Sequence, residues 1–457
     1  MFSPQATFDL AVNSALRILG VARIFFGDLM GEKDKQPVFI DAFAGCGGLS
    51  LGLMQAGMTG LFAVEKDDFA FSTLKHNLID RDGAYKFAWP KWLEKQPHEI
   101  EGLLVEHHDA LVALRGKVDV LAGGPPCQGF SSAGRRRADD PRNRLFKSYV
   151  ELVRLVEPRI VLMENVKGFT MSFGGEEGFS NYASSLRDLL AKRYRIHERL
   201  IDLSKFGVPQ HRTRYILIAL HPDLGDVDPF EVIEERMARF LRRQRLQAPV
   251  SSWSAISDLE IGKIGTQPSA ETQGFMETLP GPRITSYQKL AGDQASGVSD
   301  LRLARHAGKI AQRFAEIIET CHAEGRLNTT ISAETRQRYG LKKMALRVLD
   351  PDRPSPTITS MPDDLLHYIE PRTLTVRENA RLQSFPDWFA FKGKYTTGGH
   401  RRRREVPRFT QVANAVPPLA ARAIGEALVA IIATAKADKA LTAREPRVEQ
   451  SELVAQF

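Results

Sequence analysis

The 457-residue sequence predicts an α/β protein with a doubly wound, mostly parallel sheet and a smaller, mixed second domain. Short apolar segments alternate with helical patterns through the first half of the chain, which is typical of strand–helix–strand units. These segments are nearly continuously apolar, as expected for parallel strands covered on both faces. The alternation stops near Asp223, and a helical pattern resumes near Pro371. We therefore predict a sheet domain at 1–220 completed by 407–440, an inserted domain at 221–406, and a flexible tail at 441–457.

The individual elements are predicted from the same local signals. Apolar runs that end in glycine or polar residues predict strands at 37–45, 60–67, 118–124, 159–166 and 214–221. Apolar residues at helical spacing predict helices at 7–29, 49–57, 69–78, 144–156, 235–246, 309–325 and 419–435. One more strand is expected to end at Asp109.

The composition limits the class of protein. Hydrophobic residues make up 43% of the chain, which is enough for a packed core. The 63 lysines and arginines exceed the 55 acidic residues by 8, a mild excess that fits a polyanionic partner. The wide spacing of Cys46, Cys127 and Cys321 excludes a disulfide-built scaffold and a cysteine-rich zinc site, and no metal site is predicted. No segment resembles a signal peptide or a membrane span, so we expect a cytoplasmic protein without a membrane partner.

A glycine-rich turn and two acidic residues predict an adenosine site. DAFAGCGGLSLG (41–52) joins a strand to a helix, and glycines there allow a ligand to approach the backbone. Glu65 ends the next strand, where a carboxylate can accept hydrogen bonds from ribose hydroxyls, and Asp109 could hold an adenine amine. Ser50 stands where the NAD fingerprint has its third glycine, so that match is poor. NAD, FAD and S-adenosylmethionine all remain possible at this point.

Cys127 is the strongest candidate for a reactive group. It lies in GGPPCQGFSSAG (123–134), whose prolines and polar residues indicate a loop at a strand end rather than a core. Glu164 lies in MENV (163–166), at the end of a predicted strand. Taken by itself, it is interpreted as a solvent-exposed residue at a strand end. Arg212 and Arg214 are two residues apart, so we predict that they point to the same side and hold an anion or a base edge. An ordinary charged strand edge is the alternative.

These segments together resemble the DNA (cytosine-5)-methyltransferase family. Its sequence blocks recur here in order: DAFAGCGG (41–48), AVEKD (63–67), GGPPCQGFS (123–131), ENV (164–166), QHRTR (210–214), RPSPTIT with RTLTVRENARLQSFPD (353–387), and QVANAVPP (411–418). One position departs from the family pattern, since Ala413 stands where glycine is usual. The resemblance implies a Rossmann-like methyltransferase domain and an inserted target-recognition domain.

The resemblance also implies residue roles. S-adenosylmethionine would be held by Asp41, Phe43, Gly45, Gly47, Gly48, Leu49, Glu65, Lys66, Asp109, Ala110, Pro125, Asn414 and Ala415. Cys127 would add to carbon 6 of cytosine, which activates carbon 5 toward the methyl donor. Glu164 would contact ring nitrogen 3 and the exocyclic amine, in a role suited to a carboxyl that holds or shares a proton. Arg212 and Arg214 would hold the base, which must first leave the duplex.

Duplex DNA is the implied partner of this enzyme. Two arginine runs are candidates for backbone contacts, although a solvated charge run is the ordinary interpretation of each: Arg135, Arg136 and Arg137, and Arg401, Arg402, Arg403 and Arg404. Residues 221–371 occupy the place of the recognition region, where many side chains could read bases. We expect a monomer, with a restriction or defence system as a possible partner.

Three other functions compete with this prediction. The tRNA-methylating branch of the family shares the cysteine chemistry, but the long 221–371 stretch favours DNA. A nicotinamide or flavin oxidoreductase would leave Cys127 and Glu164 without a purpose. A non-catalytic DNA-binding relative would need neither of them.

Overall fold

The fold is built on one six-stranded sheet. The computed structural model describes residues 36–125, 142–170, 182–293, 297–342, 344–397, 401 and 405–444. Its sheet has the order β2-β1-β3-β4-β6-β5. The strands are β1 (Val38–Ala42), β2 (Thr59–Val64), β3 (Val120–Gly123), β4 (Ile160–Val166), β5 (Arg195–Asp202) and β6 (Thr213–Leu220). The predicted helix at 7–29 lies outside the described residues.

Strand direction confirms the mostly parallel sheet. β1, β2, β3 and β4 pair in parallel, whereas β6 runs antiparallel to both of its neighbours, β4 and β5. The carboxyl ends of β1 to β5 and the start of β6 therefore share one edge, called here the carboxyl edge. β5 was not predicted, because RIHERLID is an edge strand that stays partly exposed along its length and lacks a continuous apolar run.

Helices cover both faces of the sheet, as predicted for a doubly wound fold. Successive strand residues alternate between two cores: Phe39 belongs to one and Ile40 to the other. The first face carries α1 (Gly48–Gln55), α2 (Asp68–Lys75), α7 (Pro229–Gln244) and α15 (Pro418–Arg444). The second face carries α3 (Ile100–Glu106), α4 (His108–Val112), α5 (Arg142–Val156) and α6 (Tyr182–Leu190).

One predicted element is wrong. The strand expected to end at Asp109 is absent, and Asp109 instead lies in the first turn of α4. A carboxylate in the first turn is favourable there, because it interacts with the positive end of the helix dipole. The sequence HHDALV is too short for its periodicity to separate strand from helix.

The last helix is part of the sheet domain's core. The stretch Arg408–Asp438 is long and apolar enough to cross a membrane, but 72% of its apolar window is buried inside the fold. α15 packs closely on α1, since a Cβ atom at Gly52 would lie only 2.3 Å from the Ala421 Cβ. The C-terminal helix therefore packs against a helix from the first half of the chain.

The inserted region consists of short elements. They are α8 (Ser252–Ile256), α9 (Ile261–Ile264), α10 (Ser286–Ala291), α11 (Gly308–Ala323), α12 (Ala333–Arg338), β7 (Thr266–Pro268), β8 (Met276–Thr278), β9 (Arg347–Val348) and β10 (Leu365–Leu366). α11 and β9 share a small separate core in which Cys321 is buried. After it come α13 (Val376–Leu382) and α14 (Arg408–Asn414), which bring the chain back to the sheet.

Candidate active site

The glycine-rich turn after β1 has the backbone of a ligand cradle. Phe43 has φ +62°, a left-handed conformation that is strained for a bulky residue and is typical of functional sites. Gly45 has φ +57°, and a Cβ atom placed on it would meet nothing within 4 Å, so open space lies above it. Gly47 and Leu49 are buried in the turn and the helix that follows. The turn therefore leaves its backbone accessible to a ligand.

Glu65 closes this turn from the neighbouring strand. The Gly45 N–H donates to Glu65 Oε2 (2.9 Å) and the Asp67 N–H donates to Oε1 (2.7 Å). Burial raises the pKa of Glu65, so it is not a solvated strand end. Each carboxylate oxygen has a second lone pair, and Glu65 can therefore still accept hydrogen bonds from ribose hydroxyls.

Asp41 is a fully buried carboxyl at the end of β1. The Ser50 hydroxyl donates to Asp41 Oδ2 (2.5 Å), while Oδ1 is buried without a hydrogen-bond partner in the described part of the chain. Burial raises the pKa of Asp41 to about 7. Ser50 thus has a polar partner at the position where the NAD fingerprint needs glycine. An unpaired buried oxygen beside the turn fits a site whose last donor comes from a ligand.

Two of the other predicted cofactor residues, Lys66 and Asp109, lie at the surface. Lys66 is exposed and pairs with Glu99 (3.7 Å). Asp109 is exposed on α4, where its Oδ1 lies 3.2 Å from His108 Nδ1, and Ala110 follows it on the same helix. The structure therefore places Asp109 on a helix surface rather than at a strand end, with its neighbour His108 as its contact.

Glu164 and Arg214 form an ion pair at the carboxyl edge. Arg214 Nε lies 2.8 Å from Glu164 Oε1, and the two side chains are only 11% and 13% exposed. Gly124 approaches this pair, since a Cβ atom on it would lie 3.5 Å from Glu164 Oε2. The Asn165 side chain donates to the Pro125 carbonyl (3.1 Å). The segment that leads to Cys127 therefore begins beside Glu164, and Cys127 itself lies outside the described residues.

Arg212 makes a different contact from the one predicted. Its guanidinium is buried and donates to the carbonyls of Ala413 (2.8 Å) and Ala415 (3.3 Å). Burial lowers the pKa of Arg212. Arg212 thus joins the start of β6 to the last sequence block, whereas Arg214 faces Glu164. The spacing of two residues could not distinguish these partners, because Arg212 lies just before the strand begins.

The last block lies against the glycine-rich turn. A Cβ atom on Gly48 would lie 2.3 Å from the Val416 carbonyl oxygen, so only glycine allows this approach. Ala415 is buried there, whereas Asn414 is exposed at the end of α14. Ala413, which replaces the usual glycine, is buried and its carbonyl is used by Arg212.

Two glutamines complete this junction, and we did not predict their roles. The Gln383 side chain donates to the carbonyls of Val412 (3.0 Å) and Ala415 (2.8 Å). The Gln210 side chain donates to Gln383 Oε1 (2.5 Å) and accepts from the Ile358 N–H (3.0 Å). Both lie in the sequence blocks QHRTR and RLQSFPD, which is the signal that could have identified them.

The two described cysteines are unsuited to nucleophilic chemistry. Burial raises the pKa of the Cys46 thiol to about 12, and its Sγ contacts the Gln411 carbonyl (3.7 Å). Cys321 lies in the small core of the inserted region.

Of the predicted DNA-binding arginines, Arg401 is exposed, while Arg135, Arg136, Arg137, Arg402, Arg403 and Arg404 lie outside the described residues. The described ranges contain no cluster of histidine, cysteine or acidic side chains suited to a metal ion.

Comparison with known proteins agrees with this arrangement. Residues 38–430 match the family of C-5 cytosine-specific DNA methylases. The chain is 30% identical over 407 residues to the Type II methyltransferase M.DdeI of Desulfomicrobium norvegicum, covering 85% of this chain and 87% of that protein. It is also 30% identical over 462 residues to the Type II methyltransferase M.AgeI of Thalassovita gelatinovora, covering 85% and 98% respectively.

A solved structure has a similar fold. It is described as a DNA modification methyltransferase encoded within a prophage, from Escherichia coli, and is 25% identical. The superposition has a TM-score of 0.63 and covers 87% of this chain and 99% of that one. The Rossmann-like sheet predicted from the sequence is thereby confirmed. The chain belongs to the C-5 cytosine-specific DNA methylase family and is a DNA (cytosine-5)-methyltransferase, for which the family implies S-adenosylmethionine as the methyl donor.

Proposed function

We propose that this enzyme methylates carbon 5 of a flipped-out cytosine in a specific duplex DNA sequence, through a covalent adduct between Cys127 and carbon 6. The observation that carries the proposal is the Glu164–Arg214 ion pair beside Gly124 and Pro125, where the Cys127 loop begins. The Glu65 turn lies on the same edge of the sheet. A base bound at Glu164 would therefore be near both the nucleophile loop and the methyl-donor site.

Cys127 supplies the covalent step. Its thiolate adds to carbon 6, and the electron pair of the 5,6 double bond moves toward carbon 5, which becomes nucleophilic. After methyl transfer, loss of the carbon 5 proton and departure of the Cys127 sulfur restore the aromatic ring. The burial of Cys46 and Cys321 supports Cys127 as the nucleophile among the three cysteines.

Glu164 holds the target ring and stabilises the adduct. Its carboxyl contacts ring nitrogen 3 and the exocyclic amine, and it holds or shares the proton that the adduct needs there. Arg214 fixes the orientation of Glu164 through the 2.8 Å contact and adds positive charge to the site. Arg212 acts indirectly, since its hydrogen bonds to the carbonyls of Ala413 and Ala415 position the last sequence block against the glycine-rich turn.

The residues around the glycine-rich turn fit S-adenosylmethionine. Glu65 would hold the ribose, and the backbone at Phe43, Gly45 and Gly47 would line the methionine portion, next to the buried Asp41. Lys66, Asp109, Ala110, Pro125, Asn414 and Ala415 would complete the rim of the site. When bound, the cofactor supplies an electrophilic methyl group on its sulfonium.

The remaining parts of the chain would engage DNA. A stacked base cannot present its face to a thiolate, so the cytosine leaves the helix at a cost of about a few kcal/mol. We assign the sheet domain to 1–220 with 407–440 and recognition to 221–406. Arg135 to Arg137 and Arg401 to Arg404 would contact phosphates. The loop that carries Arg401 ends beside the cofactor turn, where the Val406 N–H donates to Asp67 Oδ2 (3.1 Å).

We place the enzyme in the cytoplasm as a monomer, with a restriction enzyme as partner, as in a Type II system.

Methyl incorporation into duplex DNA tests the mechanism. The wild-type protein is incubated with labelled S-adenosylmethionine and bacterial DNA, in parallel with Cys127→Ser and the matched control Cys321→Ser. We expect label at carbon 5 of cytosine with the wild type and the control, and none with Cys127→Ser. Full activity of Cys127→Ser would refute the covalent mechanism, and preferential labelling of tRNA in competition would refute duplex DNA as the substrate.

A further inference from the structure

Residues 326–347 of the inserted region, called here the basic module, carry a marked excess of positive charge. The module contains six lysines and arginines and one acidic residue, Glu334, and so carries 5 of the chain's net charge of +8. Such a local excess is unfavourable unless solvent or a polyanion compensates it. The basic module is therefore a candidate surface for a negatively charged partner.

The described residues of the basic module, 326–342 and 344–347, form a structured surface. Its strand β9 packs on α11 through the small core that includes Ile317, Cys321 and Val348. Within it, Ser332 precedes α12, and its side chain caps the helix by accepting from the Thr335 N–H (3.0 Å). A fixed backbone means that the charged side chains extend from defined positions.

Arg326 of the basic module pairs with Glu324 (3.7 Å), but Arg336, Arg338 and Lys342 have no carboxylate partner among the described residues. Ala333, Arg336, Gln337, Gly340, Leu341 and Lys342 line an open concavity of about 320 Å³. Arg338 and Lys342 are exposed, and neither has a carboxylate within 4.0 Å among the described residues. Arg336 is half-buried, and its Nε is buried without a hydrogen-bond partner there. Several uncompensated donors around one concavity suit an anionic group such as a phosphodiester.

Specific contacts connect the basic module to the catalytic edge. The Asn328 side chain donates to the Pro354 carbonyl (2.9 Å). The next residue, Ser355, pairs with Gln210 at the start of the segment that carries Arg212 and Arg214. The module is therefore tied to the same edge as Glu164, where the substrate duplex must lie.

We propose that the basic module binds phosphates of the substrate duplex beside the target cytosine, with Arg336, Arg338 and Lys342 as the contacting side chains. This inference rests on the proposed function, because it takes duplex DNA as the substrate. Phosphate contact fits better than base reading, since neither Arg338 nor Lys342 makes a hydrogen bond or ion pair with a described residue that would orient it as base-edge recognition requires. The Arg338 guanidinium lies over the Tyr339 ring, 5.3 Å from its centroid, and its N–H donors stay available to a phosphate. The module thus contributes affinity that does not depend on sequence.

The salt dependence of DNA binding tests this inference. The variant Arg338→Gln/Lys342→Gln removes two exposed cations and spares the half-buried Arg336. Each lost phosphate contact lowers the slope of log K against log salt by about 0.9, so the slope falls by about 1.8. At physiological salt we expect the KM for DNA to rise about tenfold or more, with kcat at saturating DNA unchanged. Adding Arg336→Gln lowers the slope further.

A matched variant on the far side of the molecule is the control. Lys117→Gln/Lys192→Gln also removes two exposed cations, but these precede β3 and β5 at the edge opposite Glu164. This control keeps the wild-type slope. A wild-type slope in Arg338→Gln/Lys342→Gln overturns the inference, and a loss confined to some DNA sequences overturns the phosphate assignment. Because binding is measured without turnover, a wild type that binds DNA but never methylates it contradicts the proposed function alone.

Discussion

Two arginine-rich regions of this enzyme use the same side chain in opposite ways. The first, called here the buried arginine network, comprises Arg372, Arg377, Arg381 and Arg408, each at most 7% exposed. The second is the basic module, whose Arg338 and Lys342 face solvent. Every member of the network has acidic partners, whereas no carboxylate of the described residues lies within 4.0 Å of Arg338 or Lys342.

The difference follows from the cost of burying charge. Arg381 makes two bonds with Asp258 (2.7 and 3.0 Å) and two with Asp387 (2.7 and 2.9 Å), which compensate its loss of hydration. Arg408 likewise bonds Asp300 (2.8 Å) and Glu271. An arginine with all its donors occupied holds the fold together, while one without partners is available to a ligand. Pairing, rather than residue type, therefore separates the structural arginines from those that we assign to DNA.

The network also explains how the inserted region is held. Asp258, Glu271 and Asp300 come from the part of the insert that precedes α13. Arg381 lies on α13 at the end of the insert, and Arg408 lies on α14 in the sheet domain. Arg377 adds bonds to the carbonyls of Pro386 (3.0 Å) and Phe389 (2.6 Å). These contacts fix the insert relative to the catalytic edge.

The largest expected effect is on stability. Arg381→Met leaves Asp258 and Asp387 buried without their partner, so we expect the free energy of unfolding to fall by about 3–5 kcal/mol. Urea unfolding followed by circular dichroism measures it, with Arg338→Met as the control from the exposed region. A loss below about 1 kcal/mol would mean that buried pairing does not distinguish the two regions.

Arg214 lies between the buried structural arginines and the exposed ones that we assign to DNA, because it is mostly buried but belongs to the candidate active site. Arg214→Met removes the partner of Glu164, and we expect kcat to fall about 10²–10³-fold, equivalent to about 2.7–4 kcal/mol. Binding of S-adenosylmethionine, measured by calorimetry, stays near the wild-type value. Normal kcat in this variant would show that Glu164 is oriented without Arg214.

The network is also expected to make stability depend on pH. His367 is fully buried beside Arg372 and Glu378, and burial, reinforced by Arg372, lowers its pKa to about 3. The unfolded chain takes up this proton below pH 6.5 and the folded protein does not, so stability is lost as pH falls from 6.5 toward 3. We expect about 1 kcal/mol per pH unit from this group.

The variant His367→Gln isolates this contribution. Its free energy of unfolding, measured from pH 7 to pH 5, should fall less steeply than that of the wild type. Above pH 6.5 the pH dependence of the two proteins should run in parallel. Identical slopes over the whole range would exclude His367 as the source.

The smallest effect is expected in the basic module. Arg338→Gln should change the free energy of unfolding by less than about 0.5 kcal/mol, because no folded-state ion pair is lost. The same substitution should lower the salt slope of DNA binding by about 0.9. A destabilisation above about 1 kcal/mol would place Arg338 with the structural arginines.

Local signals in the sequence were sufficient for much of the fold. Five of the six sheet strands were predicted, because each has a short apolar run bounded by glycine or polar residues. β5 was missed, since an edge strand needs no continuous apolar face. The sequence predicts a strand that ends at Asp109, whereas Asp109 lies in a helix of five residues. Five residues carry too little periodicity to distinguish a strand from a helix.

Only part of the candidate site, like only part of the fold, could be predicted from the sequence. The order of the blocks and the strand ends at Glu65 and Glu164 were readable from the sequence, because motif, turn and strand end lie within a few residues of one another. The partner of Arg212 is 201 residues away at Ala413, so spacing alone could not identify it. The charges of the basic module do not form a continuous run, so the sequence alone does not single them out.

The sequence by itself determined the family chemistry: the glycine-rich turn, Cys127, Glu164 and the blocks that surround them. Only the tertiary structure decided which of its many arginines are neutralised by acidic partners and which remain available. The physical reason is that an arginine's role depends on the free-energy cost of its desolvation and on the acidic groups that compensate this cost. Those groups come from distant parts of the chain and meet only when the insert folds back onto the sheet.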